Sequence, residues 1–229
     1  MENIKVAVVV GQHFYNVPAL QDMFMSLDNI TAYIQNFEEF VGSGEKVRAG
    51  YDVILFYTIW QDEPTNNGPW YAERQLDVLN SLGETGQGIF IMHHSFIAFP
   101  DWPQWRQMVG VVNESYKGYH LDLEMNYHIV DRDHPITAGL EDFKMIDEGY
   151  EMAGVDKDEG NHILITTDHP LNISTIAWTR SFKGTPVFCY QSGHDEKSFE
   201  NPNFRKIMRQ GVLWLAENSP AGVAKGADK

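Results

Sequence analysis

Apolar runs of strand length, those near the N-terminus short, continuous and rich in valine and isoleucine, constrain this chain more than any other feature. They fall at residues 4–10, 30–34, 53–57, 88–93, 127–130, 163–167, 174–178 and 186–190. Continuous rather than alternating hydrophobicity is what strands covered on both faces require. Between them, apolar residues recur three or four apart at 17–27, 69–82 and 203–217, which predicts helices. In the last of these, Phe204, Ile207, Met208, Val212, Leu213 and Leu215 make a broad stripe for a core. Strand and helix alternate through the first half, as in right-handed βαβ units, so a mostly parallel central sheet is expected. From 118 to 179 the strands come with few helical segments, which predicts an antiparallel extension of the same sheet. No Pro/Gly/Ser-rich linker or repeat interrupts the pattern. One domain over 1–218 is expected, with 219–229, small and polar, as a flexible tail.

Charge and composition narrow the partners. With 17 Lys plus Arg against 32 Asp plus Glu, the formal charge of −15 repels a phosphate backbone, and no basic patch offsets it. Nucleic acid is therefore not an expected partner. No stretch reaches the roughly 18 apolar residues of a membrane span. The start, Met1-Glu2-Asn3-Ile4-Lys5, lacks a basic n-region and runs at once into a strand, so a cytoplasmic location is expected. The single cysteine, Cys189, lies in an apolar run as a small core residue and cannot form an internal disulfide.

In an open parallel sheet, ligands bind beyond the carboxyl ends of the strands, so the residues after each run are the place to look. Gly11-Gln12-His13-Phe14-Tyr15 follows the first, Thr58-Ile59-Trp60 the third, His93-His94-Ser95 the fourth and Gln191-Ser192-Gly193-His194-Asp195 the last. Four of the nine histidines stand at such positions, which favours one shared site. An imidazole titrates near neutrality, so His93 or His94 suits a general base, a general acid or a metal ligand; equally, one of them can simply hold the turn. His194-Asp195 pairs an imidazole with a carboxylate, although adjacent side chains often diverge. Asp147-Glu148-Gly149-Tyr150, in the irregular middle region, supplies a carboxylate to orient a histidine, carry a proton or bind a metal. His134, before a proline, reads as structural. Trp60, Tyr150 and Trp178 suit stacking on a sugar ring, with core packing as the alternative.

Taken in order, His134-Pro135-Ile136-Thr137-Ala138-Gly139-Leu140, Asp147-Glu148-Gly149-Tyr150, Ala177-Trp178-Thr179, Ser192-Gly193-His194-Asp195, Asn201-Pro202-Asn203-Phe204 and Gly211-Val212-Leu213-Trp214 resemble the ThuA-like (trehalose-utilisation) family, and Met92-His93-His94-Ser95 fits the same pattern. The resemblance implies a class I glutamine-amidotransferase-like fold, a flavodoxin-like three-layer α/β sandwich. Amidotransferases of that fold carry a cysteine at the strand-end elbow and a histidine late in the chain. Here His93 stands where the cysteine would be and His194 matches the late histidine, so the thioester route to glutamine hydrolysis is closed. The family commonly has a small residue after the elbow histidine, and His94 departs from that.

The resemblance also implies carbohydrate as substrate class, trehalose or a related disaccharide or keto-sugar. The expectation is a hydrolase or isomerase-like enzyme in which His93 and His194 move protons and Glu148 or Asp195 orients them, with His13, Tyr15, Trp60, His94, Tyr150 and Trp178 holding the sugar. A non-catalytic sugar-binding or regulatory protein is the alternative. Zinc is a candidate cofactor, its ligands drawn from His93, His94, His194 and nearby carboxylates. A small-molecule sugar is the expected partner, and a homo-oligomer is compatible with the sequence.

Overall fold

The structure, a computed structural model, describes residues 3–111 and 115–227. Strands β1 (Ile4–Gly11), β2 (Ile30–Asn36), β3 (Val53–Thr58), β4 (Gly88–Met92) and β9 (Thr185–Tyr190) lie parallel in the order β2-β1-β3-β4-β9. This is the order of a doubly wound sheet whose strand ends gather ligands at one edge. Beyond β9 the sheet continues antiparallel through β8 (Thr175–Phe182), β7 (His162–Thr166), β5 (Gly118–Ile129) and β6 (Phe143–Glu151). Four neighbouring pairs are parallel and four antiparallel, so the nine-stranded sheet is mixed in equal parts rather than mostly parallel.

Alternate side chains of a strand point to opposite faces, and the core divides accordingly. Val6, Val8 and Val10 join one cluster with Leu20, Met23 and Phe24 of α1 (Val17–Met25) and Phe204, Ile207 and Val212 of α7 (Pro202–Asn218). Ala7 and Val9 join the other, with Phe37 and Phe40 of α2 (Phe37–Gly42), Leu79 of α4 (Gln75–Asn80) and Trp105 of α5 (Pro103–Val109). Helix α7 starts where the sequence says it must: Asn201 accepts from the N–H groups of Asn203 and Phe204, and Pro202 fills the first helical position. Its predicted stripe is buried except for Leu213, which is half-buried. Gly211 lets the helix approach β9, since a Cβ there would lie 2.5 Å from Phe188.

Three expectations change. The helix predicted over 69–82 is confined to α4, because Arg74 (φ −107°, ψ 32°) is not helical and Trp70, 85% exposed, has no core to face. The segment read as irregular around 143–151 is β6, and β5 begins nine residues before the predicted 127, with a bulge between His120 and Leu123. In place of a flexible tail, α8 (Pro220–Ala227) follows α7, and Ala221 N–H donates to Gly86 O at 3.1 Å; the last two residues of the expected tail lie outside the described residues. Among the described residues no helix is long and apolar enough to cross a membrane.

Candidate functional site

The carboxyl ends of β1, β3, β4 and β9 and the buried face of β6 converge on four imidazoles and one carboxylate. His93 follows β4 at φ +51°, a left-handed conformation that non-glycine residues seldom adopt, and opens a 3-10 turn over His93–Ile97. The strand-end elbow expected from the sequence is thus present, with β4 stopping at Met92 rather than His93. Ser95 closes the turn: its hydroxyl accepts from Thr58 N–H at 2.6 Å and its carbonyl accepts from Trp105 Nε1 at 3.0 Å.

His93 is fully buried, and its Nδ1 lies 2.9 Å from Gln191 O. A carbonyl only accepts, so Nδ1 carries the proton and Nε2 keeps a lone pair. That lone pair faces Tyr150 Oη at 3.1 Å and Glu148 Oε1 at 3.8 Å. The other carboxylate oxygen of Glu148 lies 3.1 Å from His194 Nδ1, a contact that lacks hydrogen-bond alignment. The rings of His93 and His194 stand 5.5 Å apart, and His13 stacks at a tilt on His94 at 4.2 Å. The His194 side chain is 25% exposed and links the cluster to solvent.

Burial sets the electrostatics. Desolvation lowers the pKa of His93 and His94 well below the usual imidazole value, with the neighbouring histidines adding to it and the Gln191 carbonyl partly opposing it at His93. His13 is lowered by burial and then by His194. Burial raises Glu148, against a hydrogen bond from Tyr150 and the attraction of His194. It raises Tyr57 and Tyr150 well above the ordinary phenol, so both stay hydroxyl donors. Asp147, fully enclosed, is pushed up to about 6 by burial although it accepts three backbone N–H groups.

The structure brings together His93, His94, His194, Glu148, His13 and Tyr150. Tyr15 stands at the rim, its ring 5.7 Å from Tyr57. Trp60 packs on Phe37 at 5.0 Å. Trp178 is not a stacking surface: it is fully buried, and its Nε1 donates to Val109 O at 2.8 Å. Tyr150, 2% exposed, is a hydrogen-bonding floor rather than a platform. Asp195 caps α6 (Glu196–Phe199) by accepting from Lys197 N–H at 2.9 Å and lies 3.6 Å from Lys197 Nζ, so its carboxylate is committed to the helix entry. His134 is structural as expected, accepting from Ile136 N–H at 3.1 Å.

Four further residues shape the site: Tyr57 and Asn172, which the sequence reading did not single out, and Asp147 and Gln191, which fell inside quoted stretches without a role of their own. Tyr57 donates to Gly193 O at 3.0 Å and packs on His94 at 4.8 Å. Asp147 fixes the loop after β9, and Gln191 Nε2 donates to Glu148 O at 2.7 Å. Asn172 donates to Gln191 Oε1 and accepts from Tyr150 N–H. Tyr57 and Gln191 end or follow strands and were findable by position; Asp147 lay in a quoted motif, but its hold on the loop after β9 runs through backbone N–H groups, and Asn172 has no sequence signal. A separate cavity of about 700 Å³ lies between α2, α3 (Glu45–Arg48) and α4, lined by Arg48, Trp70 and Arg74. None of the clustered imidazoles lines it; the groups with shifted pKa values converge at the strand ends instead.

A nine-stranded mixed α/β sheet with histidines and a carboxylate gathered at its parallel strand ends defines an α/β protein with a histidine-rich strand-end site. The chain belongs to the ThuA family, whose description is trehalose utilisation and whose model matches residues 16–215. A protein from Bacteroides uniformis described as ThuA-like has a similar structure, with a TM-score of 0.74 at 17% identity over 96% of this chain and 94% of that one. A second, from Parabacteroides merdae, gives 0.70 at 15% identity over 94% and 90%. A GMP synthase component from Thermoplasma acidophilum shares the fold, at 0.58 and 11% identity over the whole of both chains. No curated protein matches the chain.

Proposed function

We propose that this protein is an enzyme of carbohydrate utilisation that acts on a disaccharide or its keto derivative by histidine acid/base chemistry. The observation that carries the reading is Glu148, held within 3.8 Å of His93 and 3.1 Å of His194, two imidazoles from separate strand ends. The family description, trehalose utilisation, supports the substrate class. His93, neutral and with an Nε2 lone pair held by the Tyr150 hydroxyl, has the form of a base. His194, partly exposed, reaches solvent, and Glu148 steadies whichever imidazole becomes charged. Abstraction of a proton beside a carbonyl, or hydrolysis of a keto-sugar glycoside, both suit this set.

The test is incubation of purified protein with trehalose, other disaccharides and their keto derivatives, with products followed by mass spectrometry. Turnover that falls about 10²-fold or more in His194→Ala and Glu148→Gln is the expected result. Saturable sugar binding with no product over hours favours a non-catalytic sugar-binding protein. Neither binding nor turnover with any of these sugars overturns the reading.

A further inference from the structure

The geometry points to a zinc site in this cluster, with His93 Nε2, His194 Nδ1 and one oxygen of Glu148 as the three protein ligands and a fourth position left open. The inference rests on the same pocket as the proposed reading but not on any sugar. Three features carry it.

The first is spacing. One ligand atom from each residue lies within 4.8 Å of the other two; the 3.8 Å approach of Glu148 to His93 and its 3.1 Å approach to His194 are made by different carboxylate oxygens. Ligands of a tetrahedral zinc ion, bound at about 2.0–2.1 Å, stand about 3.4 Å apart. Rotations of the side chains that bring one oxygen to both imidazoles complete the set.

The second is the hydrogen-bond pattern. Buried polar atoms normally have partners. Yet His194 Nδ1 is buried beside a carboxylate oxygen without the alignment of a donor and acceptor, as two ligands of one ion are arranged. His93 Nε2 accepts from the Tyr150 hydroxyl at 3.1 Å and has Glu148 Oε1 at 3.8 Å. An unpartnered imidazole nitrogen, a second imidazole nitrogen and a carboxylate converging in a buried place suit a cation.

The third is support around the ligands. His93 Nδ1 is tied to Gln191 O, the outer contact that fixes a metal-binding imidazole in one tautomer. The His194 backbone is held from both sides, its N–H by Asp147 at 3.0 Å and its C=O by Tyr57 Oη at 3.3 Å. When Nε2 of His93 turns to the ion, the Tyr150 hydroxyl retains Glu148 as acceptor. Imidazole nitrogens with one carboxylate favour zinc over calcium or magnesium, which prefer all-oxygen shells. Of the ligands expected from sequence, His93, His194 and a nearby carboxylate, Glu148, form the set, and His94 does not. A water in the fourth position would ionise near neutral pH and serve as the proton acceptor or nucleophile of the proposed reaction.

The test uses the full chain purified without a histidine tag, stripped with chelator and dialysed against Zn²⁺ or Co²⁺ alone. One zinc per chain is expected, with an X-ray absorption edge showing nitrogen and oxygen neighbours, including two imidazoles, at about 2.0–2.1 Å. Affinity should fall at least 10-fold in both Glu148→Gln and His194→Ala, checked as folded by circular dichroism, and stay unchanged in His128→Ala, a surface control. If Glu148→Gln folds poorly, Glu148→Asp serves, since the shorter carboxylate must also weaken binding. No stoichiometric zinc, or binding indifferent to these variants, overturns the site. The two readings fail separately: sugar turnover without stoichiometric zinc removes the metal while leaving the enzyme, and zinc bound as described with no turnover removes the enzyme while leaving the metal.

Discussion

Asp147 accepts the backbone N–H groups of Gly193 at 2.8 Å and of His194 at 3.0 Å, so β6 dictates where the loop after β9 places its imidazole. Because Asp147 and Glu148 are neighbours on one strand, the same stretch of backbone positions both the carboxylate of the site and its late histidine.

Replacing Asp147 with Asn tests that coupling. A carboxylate offers two oxygens to donors, whereas a carboxamide must turn its NH₂ toward at least one N–H. Asp147→Asn is expected to lower stability by about 1–3 kcal/mol in urea unfolding, the cost of a buried donor left unsatisfied. Sugar turnover should fall with it. A variant as stable and as active as the parent would show that the loop is held by other contacts.

Gly193 has φ +122°, and a Cβ would lie 2.5 Å from Met92 Cε and 3.3 Å from Phe204 Cζ. Gly193→Ala combines a disfavoured backbone with a clash against buried side chains, so a loss of about 1–3 kcal/mol is expected. His194 should move with the loop. The check is a melting curve together with the ring-proton NMR signals of His194, which should shift in the variant.

The Tyr150 hydroxyl faces His93 Nε2 while its ring packs on Phe96 at 5.1 Å. Tyr150→Phe keeps the ring and removes the hydroxyl. Stability should change by about 1 kcal/mol or less, while turnover drops at least 10-fold with KM little altered. A large change in KM alone would make Tyr150 a sugar-binding residue instead.

Stability should depend on pH with a definite sign. His93 and His94 have folded-state pKa values far below 6.5, so below pH 6.5 the unfolded chain binds two protons that the folded chain refuses. Folding then weakens as pH falls, by about 1.4 kcal/mol per pH unit for each histidine. Asp147 acts oppositely, since its folded pKa of about 6 against 3.8 makes the folded state bind the extra proton between those values. His13, also lowered, adds to the histidine slope and Glu148, raised, subtracts from it; with three lowered histidines against two raised carboxylates, urea midpoints of chelator-treated protein should decline from pH 7 to 5. His94→Leu should remove one histidine's share of the slope; a midpoint that rises as pH falls contradicts the assignment.

Burial pushes the Cys189 thiol up, and the thiol is fully enclosed on β9. The native protein should resist a thiol reagent at pH 8, with one equivalent reacting on addition of denaturant. Rapid labelling of native protein would place Cys189 nearer to solvent than the fold allows.

The central parallel strands were legible because they carry apolar runs whose only use is burial on both faces, and Val6 to Val10 shows it most plainly. β6 was not legible for the converse reason. Its inward positions carry Asp147, Glu148 and Gly149 beside Met145 and Tyr150, so the strand breaks the hydrophobic pattern where it serves the site. Strand-end position found His13, His93, His94 and His194 without any contact information. It misled at Asp195 and Trp178, because position says nothing of direction: one side chain turned to cap a helix and the other into the core. Glu148 was named as a carboxylate near histidines, but its place between two of them depends on the β5–β6 pairing, which joins residues far from either histidine in sequence.

The clustered groups come from five stretches of chain, beginning at residue 13 and ending at residue 194, and every one of those stretches lies on a different strand or its exit. No fragment can therefore assemble the imidazoles and the carboxylate by itself. Contacts of such long sequence separation form only after large loops have closed, so the constellation belongs among the last parts of the molecule to come into being during refolding. In a refolding experiment, recovery of the site should follow the slowest phase, well after the apolar strands of the first half have collapsed.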